Sequence, residues 1–126
     1  MQRGGDAAED LVARRLERLG WTLLGRKVRA GRGELDIVAI DPGPPRMLVI
    51  VEVRWRRSRA FGLAEETIDH RKRAHLRTAI GRLIEDGLPG GVPLPSLPIR
   101  VDLVVVEPAR LAGGQLRIRH HRGIPL

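Results

Sequence analysis

The stretch GELDIVAIDPGPPRMLVIVEVRW, residues 33–55, decides the fold. It contains two runs of strand length, residues 34–40 and 47–55, and the segment between them is rich in proline. A third run of the same kind, residues 22–28, precedes them after a turn that contains glycine. Apolar or alternating runs bounded by turn residues are typical of β-strands. The three runs therefore predict an antiparallel three-stranded meander.

The hairpin within this stretch predicts which side chains face each other. If its loop covers residues 42–46, Asp41 faces Met47, and the same register places Asp36 directly opposite Glu52. Directly opposed side chains have Cβ atoms about 4.5–5.5 Å apart, and like charges there destabilise a sheet unless a cation lies between them. A hard divalent cation, which prefers oxygen ligands, would meet that need. Two alternatives stay open: neutralisation of each acid by its own arginine, or a register slipped by one residue, which separates the acids.

Strand alternation also assigns faces to the neighbouring residues. It places Glu34 and Asp36 on one face with the other even-numbered residues up to position 40. The same register sets Glu34 opposite Arg54, which favours a salt bridge between them. In a later strand Asp102 shares a face with Arg100, which favours a structural ion pair.

Two amphipathic helices are predicted on either side of the meander. The first covers residues 6–20, and the second begins after the N-cap residue Asp69 and ends at Asp86, where Gly87 stops it. A short helical turn over residues 64–68 is a further expectation. The apolar stripes that should face the sheet are Ala8, Val12, Leu16 and Leu19 in the first helix and Leu76, Ile80, Leu83 and Ile84 in the second.

The C-terminal third completes the predicted architecture. Residues 87–98 are rich in glycine and proline and predict a loop. Residues 99–106 form a nearly continuous apolar run, typical of a central strand covered on both faces, and residues 115–120 predict an edge strand. The order αβββαββ favours one α/β domain over residues 1–126, with a mixed β-sheet flanked by helices.

Composition points to a polyanionic partner. The 126 residues include 23 Lys or Arg and 15 Asp or Glu, which gives a formal net charge of +8 and a pI near 11.5. Nucleic acid or an anionic membrane surface would both suit such a chain. Aromatic residues make up only 2% of it and tyrosine is absent, so base-stacking platforms cannot be built. Binding of nucleic acid would therefore depend on backbone charge and follow shape rather than base sequence.

Other classes are excluded by what the sequence lacks. Without cysteine there is no disulfide scaffold, zinc-thiolate site, iron–sulfur cluster or cysteine nucleophile. The longest unbroken apolar run, residues 47–51, is far shorter than the roughly 18 residues of a membrane span, and no signal-peptide pattern is visible. We therefore expect a cytoplasmic protein without a membrane partner.

Two further charged residues lie on the predicted helical stripes. Glu9 stands three residues before Val12, and taken alone it is more typical of a capping or surface residue than of a ligand. Lys72 stands four residues before Leu76 and continues the stripe of the second helix toward its N-terminal end. Its ammonium either extends outward along its stem or points at the sheet where the acids lie.

Basic residues cluster after the third strand and in the second helix. They form either a track for phosphate groups or the solvated basic surface of an arginine-rich chain. The members of this predicted phosphate track are Arg54, Arg56, Arg57, Arg59, Arg71, Arg73 and Arg77.

These features together resemble a known family. The ordered set is a helix with Glu9, then Gly33-Glu34-Leu35-Asp36-Ile37-Val38, Val51-Glu52-Val53-Arg54, Phe61-Gly62, Lys72 and Arg100-Val101-Asp102. It resembles the YraN-like family of small bacterial proteins, which is similar to the archaeal Holliday-junction resolvases and belongs to the PD-(D/E)xK superfamily. The resemblance covers nearly the whole chain and implies a restriction-endonuclease-like mixed sheet flanked by helices.

The resemblance implies a nuclease-type site that acts on branched or structured nucleic acid, DNA in the first place. In that site Glu9, Asp36 and Glu52 would hold one or two Mg²⁺ ions, for which Mn²⁺ would substitute. A homodimer is implied by analogy with resolvase-like relatives.

One position departs from the superfamily pattern and affects the expected catalysis. Arg54 stands where the superfamily has lysine, and arginine stays protonated, although its planar fork binds phosphate. If the chemistry needs a lysine, Lys72 is the expected substitute, because Lys27 lies on the first strand, away from the motif. The alternative function is a catalytically inactive nucleic-acid-binding module that keeps the nuclease fold.

Overall fold

The secondary structure follows the order predicted from the sequence. The computed structural model describes residues 4–56, 68–109 and 114–126. In chain order these residues form α1 (Gly4–Arg18), β1 (Thr22–Ala30), β2 (Gly33–Asp41), β3 (Met47–Trp55), α2 (His70–Asp86), a 3₁₀ turn at Pro89–Gly91, β4 (Ile99–Pro108) and β5 (Leu116–His121). The predicted order αβββαββ is confirmed. The expected helical turn over residues 64–68 lies outside the described residues except for Ile68.

The described strands form one mixed sheet in the order β1-β2-β3-β4-β5. The first three make the predicted antiparallel meander. Strand β4 pairs parallel with β3, and β5 lies at the edge, antiparallel to β4. A parallel pair needs a crossover of a dozen or more residues, and α2 lies in that connection. The predicted mixed α/β sheet is confirmed.

The two helices cover opposite faces of the sheet. Helix α1 packs in a core cluster with Ile37, Val49 and Val51, whereas α2 packs in a cluster with Val38 and Ile50. Neighbouring residues of the same strands thus point to different helices, as a strand period of two requires. Strand β4 is buried along most of its length, as expected for a central strand with cover on both faces.

The predicted helical stripes are wrong at one residue each. Leu19 is 49% exposed and Ile84 is 57% exposed. Leu19 lies just beyond the end of α1, so it does not continue the buried face of the helix. Ile84 follows the buried Leu83 and is turned about 100° away from it. Ala79, which the prediction omitted, takes the place in the core.

Helix α2 is capped at both ends by the residues that the sequence predicted. Asp69 is the N-cap as predicted, and its carboxylate accepts a hydrogen bond from the backbone N–H of Lys72 at 2.9 Å. Gly87 ends the helix with a φ of 76°, which glycine adopts without strain, and its N–H donates to the carbonyl of Leu83. Between these caps the buried stripe runs from Leu83 back toward Lys72.

Candidate active site

The two strand acids lie where β2 and β3 separate. The predicted register is confirmed from Asp41 opposite Met47 down to Ile37 opposite Val51. Beyond this pair the backbone N–H of Val53 donates to Oδ2 of Asp36 at 2.8 Å. A side-chain oxygen thus accepts a backbone hydrogen bond at the point where the ladder ends.

Strict alternation along β2 is a prediction that the structure corrects. Leu35 packs in the same core cluster as Val38, whereas Ile37 packs on the opposite face. Regular alternation would place residues 35 and 37 on one face, so the strand is irregular between residues 35 and 38. Asp36 lies in this irregular part, half-buried, rather than on a continuous face with the later residues of β2.

The environment of Asp36 disfavours its negative charge. Burial and the nearby charge of Glu52 raise the pKa of Asp36 to about 7, and Glu9 adds to the effect. The hydrogen bond from Val53 acts in the other direction but does not compensate. A side-chain interaction with Glu52 raises the pKa of Asp36 further. Such a pair either shares a proton or requires a cation.

Glu52 is bound by two basic side chains, although it is only 4% exposed. Nζ of Lys72 lies 3.0 Å from Oε1 of Glu52, and Nη2 of Arg54 lies 3.7 Å from the same oxygen. Of the two orientations open for Lys72, the ammonium takes the one toward the sheet. Nε of Arg54 is buried and has no hydrogen-bond acceptor in the described part of the chain. Arg54, which stands where the resemblance leads us to expect lysine, thus contacts Glu52.

Glu9 is buried at the sheet rather than placed as a cap or surface residue, and it is 3% exposed. Its Oε1 lies 3.1 Å from Nε of Arg26, and its Oε2 lies 3.1 Å from Nζ of Lys27. Asp6 and Asp10, one turn and one residue away on α1, bind the same two cations. The carboxylate of Glu9 is therefore held in ion pairs with β1.

The prediction that Lys27 lies away from the motif is wrong. Lys27 has a φ of 49°, so it does not continue the regular twist of β1, and both Arg26 and Lys27 reach Glu9 on α1. Nearby in β1, glycine at position 25 leaves space for Val28, because a Cβ there would lie 2.7 Å from Cγ2 of Val28. The hydrogen bonds that Lys27 donates to Asp6 and Glu9 raise its pKa, which keeps it protonated. The register of β1 against β2 could have indicated this position.

The acids fit a divalent cation only in part. No group of three or more His, Asp or Glu side chains within residues 4–56, 68–109 and 114–126 converges as a ready-made metal centre. Asp36 and Glu52 do fit: Glu52 is buried and Asp36 is half-buried, and a cation with oxygen ligands would reduce their mutual repulsion, which Lys72 and Arg54 offset only at Glu52. Glu9 is close enough to affect Asp36, but it could join as a ligand only by exchanging its contacts with Arg26 and Lys27.

Two predicted ion pairs have different outcomes. The pair of Asp102 with Arg100 is confirmed, at 2.8 Å between Oδ1 and Nε. The salt bridge between Glu34 and Arg54 is wrong within the described residues: Arg54 binds Glu52, and Glu34 stands opposite Arg29 of β1. The β2–β3 ladder ends at the pair Ile37–Val51, so Glu34, on the N-terminal side of Ile37, no longer follows the predicted register with β3.

The predicted phosphate track is described only in part. Arg57 and Arg59 lie outside the described residues. Arg56 follows β3, and its N–H donates to the carbonyl of Val106 at 2.9 Å. The basic surface after β3 therefore stays a prediction.

On α2 the arginines of this track do not share one side. Arg71 and Arg77 are exposed, whereas Arg73 is half-buried, and its Nε has no acceptor in the described chain. Steps of about 100° per residue place Arg73 and Arg77 close together, with Arg71 well over 100° from both. A duplex that contacts all three would have to span two sides of the helix.

Removing the charge of Asp36 is expected to change how stability depends on pH. The folded pKa of about 7 lies above the ordinary 3.8, so folding favours the protonated acid. The stability gained in this way is present below about pH 4 and is lost as the pH rises to about 7. In metal-free buffer we expect Asp36→Asn to match the wild type near pH 4 and to be more stable by roughly 1–2 kcal/mol at pH 8.

Thermal unfolding of both proteins between these pH values measures the difference. Addition of Mn²⁺ at pH 8 should raise the Tm of the wild type and leave that of Asp36→Asn unchanged, because a ligand that binds only the folded state stabilises it. Parallel pH profiles for the two proteins would contradict the repulsion between Asp36 and Glu52.

Fold and site together define a class. A mixed sheet with one helix on each face, and acids from two adjacent strands where these diverge, is an α/β fold of the nuclease-like type. Among the described residues no helix has the length and apolar character needed to cross a membrane.

The chain belongs to the UPF0102 family. The model of that family, described as "Uncharacterised protein family UPF0102", matches residues 8–106, and it confirms the resemblance to YraN-like proteins. A UPF0102 protein of Roseiflexus castenholzii is 40% identical over 94% of this chain and 89% of its own length. Similar proteins occur in Symbiobacterium thermophilum, 36% identical over 94% and 92% of the two chains, and in Pseudomonas savastanoi, 35% identical over 84% and 80%.

Proposed function

We propose that the protein is a Mg²⁺-dependent nuclease that acts on branched or otherwise structured nucleic acid, DNA in the first place, without reading base sequence. The single observation that carries the proposal is the carboxyl pair of the half-buried Asp36 and the buried Glu52, with Nζ of Lys72 at 3.0 Å from Glu52. Hydrolysis of a phosphodiester needs a cation near the scissile phosphate and a donor for the developing charge. Asp36 and Glu52 would hold the cation, and Lys72 would be the donor.

In this proposal the acids hold the metal ion and Lys72 acts on the reacting groups. Asp36 and Glu52 would hold the ion, and Glu9 would join them after exchanging its basic partners. The chemistry that Mg²⁺ or Mn²⁺ supplies when bound is neutralisation of phosphate charge and a lower pKa for the attacking water. Lys72, fixed in the first turn of α2 by the Asp69 cap, would orient that water or stabilise the pentavalent transition state.

Arg54 fits a phosphate-binding role rather than that of a base. Its guanidinium is always protonated and offers a planar fork to phosphate oxygens. It already lies beside Glu52 through Nη2, and its buried Nε has no acceptor among the described residues.

A second function has its own supporting observation. Glu9 and Glu52 are each neutralised by two basic side chains, so the site is electrostatically satisfied in part without a metal ion. That arrangement suits a module that binds nucleic acid and does not cleave it. Cleavage by the purified protein in Mg²⁺ or Mn²⁺ would exclude the inactive module, whereas binding without cleavage in either metal would exclude the nuclease.

The two lysines of the chain offer a sharp test of the active site. Lys72→Ala should lower the cleavage rate of a four-way DNA junction about 10²–10³-fold, because it removes a donor at the reacting phosphate. Lys72→Arg should restore part of the rate if charge alone matters. Single-turnover assays with saturating protein separate this effect from weaker binding.

Lys27→Ala is the matched control for this test. This variant also removes an ammonium bound to an acid of the site, but the acid is Glu9 rather than Glu52. We expect a smaller loss of rate than for Lys72→Ala. An equal rate in Lys72→Ala and the wild type would remove Lys72 from the mechanism.

A further inference from the structure

A cleft lies beside the carboxyl pair, between the β1–β2 turn and α2. Its volume is about 370 Å³, near the low end of the roughly 300–1,000 Å³ typical of small-ligand sites. It therefore has room for a ligand the size of one nucleotide and none for a duplex. Gly33 lines the cleft close to α2, since a Cβ at this position would lie 3.5 Å from Cβ of Ala79.

The floor and the rim of the cleft differ in chemistry. The floor consists of Ala30, Leu35, Leu76 and Ala79, which are all apolar. Apolar side chains of this kind can cover the faces of an extruded base, a role they share with aromatic residues elsewhere. Although the chain has no tyrosine and few aromatic residues, this apolar floor would allow it to hold a base outside a duplex.

The rim carries groups that suit a nucleoside phosphate. Arg32, Lys72 and His75 supply cationic or hydrogen-bonding nitrogens, and Glu34 supplies a carboxylate. Arg32 and Glu34 are both exposed, and neither forms an ion pair with any other described residue. Guanidinium groups bind phosphate, and a carboxylate accepts hydrogen bonds from the amino groups of bases.

Lys72 joins the cleft to the carboxyl pair. It lines the cleft, and its Nζ lies 3.0 Å from Oε1 of Glu52. A strand with one nucleotide in the cleft would therefore bring an adjoining phosphate to Lys72, next to Asp36 and Glu52.

We propose that this cleft binds one unpaired nucleotide of a nucleic-acid strand, with the base on the apolar floor and the phosphate at the basic rim. The proposal rests on the proposed function, because it takes nucleic acid as the ligand. It gives that function a substrate class: strands with an extrahelical or unpaired nucleotide, such as bulges and branch points. The cost of unstacking is least for a base that is already unpaired.

Binding is tested with the full chain in EDTA, so that no cleavage occurs. Fluorescence anisotropy compares a DNA duplex that has a one-nucleotide bulge with the same duplex without it, at one salt concentration. We expect the wild type to bind the bulged duplex roughly tenfold more tightly. A ratio near one would overturn the proposal.

Variants in the cleft test whether the preference for the bulged duplex depends on it. Arg32→Glu reverses the charge of an exposed rim residue, and Thr78→Phe fills the cleft from an exposed helix position. Both should bring the affinity ratio close to one. Arg46→Glu is the matched control, since it makes the same charge change in the loop at the other end of β2 and should weaken both duplexes alike. An unchanged ratio in Arg32→Glu and Thr78→Phe would overturn the assignment to the cleft.

Two further experiments distinguish a free nucleotide from a strand as the ligand, and failure of the cleft proposal from failure of the proposed nuclease function. A deoxynucleoside 5′-monophosphate should displace the bulged duplex far less well than an unlabelled bulged duplex does; equal displacement would show a site for free nucleotides and overturn the strand ligand. Cleavage of the same duplexes in Mg²⁺ is scored separately. Bulge preference without cleavage supports the cleft and overturns only the nuclease, whereas cleavage without preference overturns only the cleft.

Discussion

Asp36→Asn and Glu52→Gln are each expected to lower Mg²⁺-dependent cleavage by at least about 10²–10³-fold while the fold is kept. Each change preserves the size of the side chain and removes one of the two charges that would hold the ion. In Asp36→Asn the acceptor for the N–H of Val53 is also kept, because the amide oxygen can take the place of Oδ2. The loss of rate should therefore come from the metal site and not from unfolding.

The measurement is single-turnover cleavage of a DNA junction by each purified variant, with circular dichroism and thermal unfolding as checks of the fold. Glu85→Gln is the matched control, because this acid lies on α2 and is exposed, with only a weak pairing to Arg82 at 3.6 Å. It should cleave at the wild-type rate. Cleavage that persists unchanged in both Asp36→Asn and Glu52→Gln would falsify the proposed active site.

The same variants distinguish the two candidate functions. A nuclease should lose cleavage in Asp36→Asn and still bind DNA, since removal of a negative charge reduces repulsion from phosphates. An inactive binding module should also still bind DNA in Asp36→Asn, but its wild type would have no cleavage to lose. Binding and cleavage measured on one substrate therefore place the protein in one class.

Much of the fold could be predicted because long apolar runs leave few alternatives. Strand β3 was predicted over its full extent, and its register with β2 follows from one hairpin loop. A slip by one residue would have turned Ile50 and Val51 to the wrong faces of a sheet that has helices on both sides. Such a sheet specifies its own register.

The parts of the site that could not be predicted depend on local backbone irregularities. Periodicity assumes a regular strand, whereas β1 turns at Lys27 with a positive φ and β2 loses its alternation at Asp36. The first irregularity brings Lys27 to Glu9, and the second lets Asp36 accept a backbone N–H between strands. Positive φ at a residue other than glycine costs free energy, and residues held in this way cluster at active sites and ligand clamps.

The prediction with the next largest effect concerns stability rather than catalysis. Asp102→Ala should lower the free energy of unfolding by about 3–5 kcal/mol, because it removes a fully buried carboxylate and leaves the half-buried guanidinium of Arg100 without its main partner. Asp102 is fully buried and accepts hydrogen bonds from Nε and Nη2 of Arg100, from Nε2 of His120 and from the N–H of Gly123, all between 2.8 and 3.0 Å. The carboxylate thus joins β4, β5 and the C-terminal segment.

Arg100 extends this cluster across the sheet. Its Nη2 also lies 2.9 Å from Oδ2 of Asp41 at the end of β2, and its guanidinium stands 5.7 Å from the centre of the Trp21 ring. Loss of Asp102 would therefore also loosen the contacts of Arg100 with Trp21, just before β1, and with Asp41 of β2, since Arg100 would keep only part of its hydrogen bonds. Asp86→Ala is the matched control, because its pair with Arg82 is exposed and worth roughly 0.5 kcal/mol or less.

Acid should remove the contribution of Asp102 in a defined pH range. Burial alone would raise the pKa of this carboxyl, but the hydrogen bonds from His120, Arg100 and Gly123 outweigh it and lower the pKa to about 2. A lowered folded pKa gives stability that is present above the ordinary value of 3.8 and is lost as the pH falls toward 2. Urea unfolding at neutral pH and at pH 3 should therefore show a smaller difference between Asp102→Asn and the wild type in acid. A difference that stays constant with pH, or an equal cost for Asp102→Ala and Asp86→Ala, would contradict the role of the buried cluster.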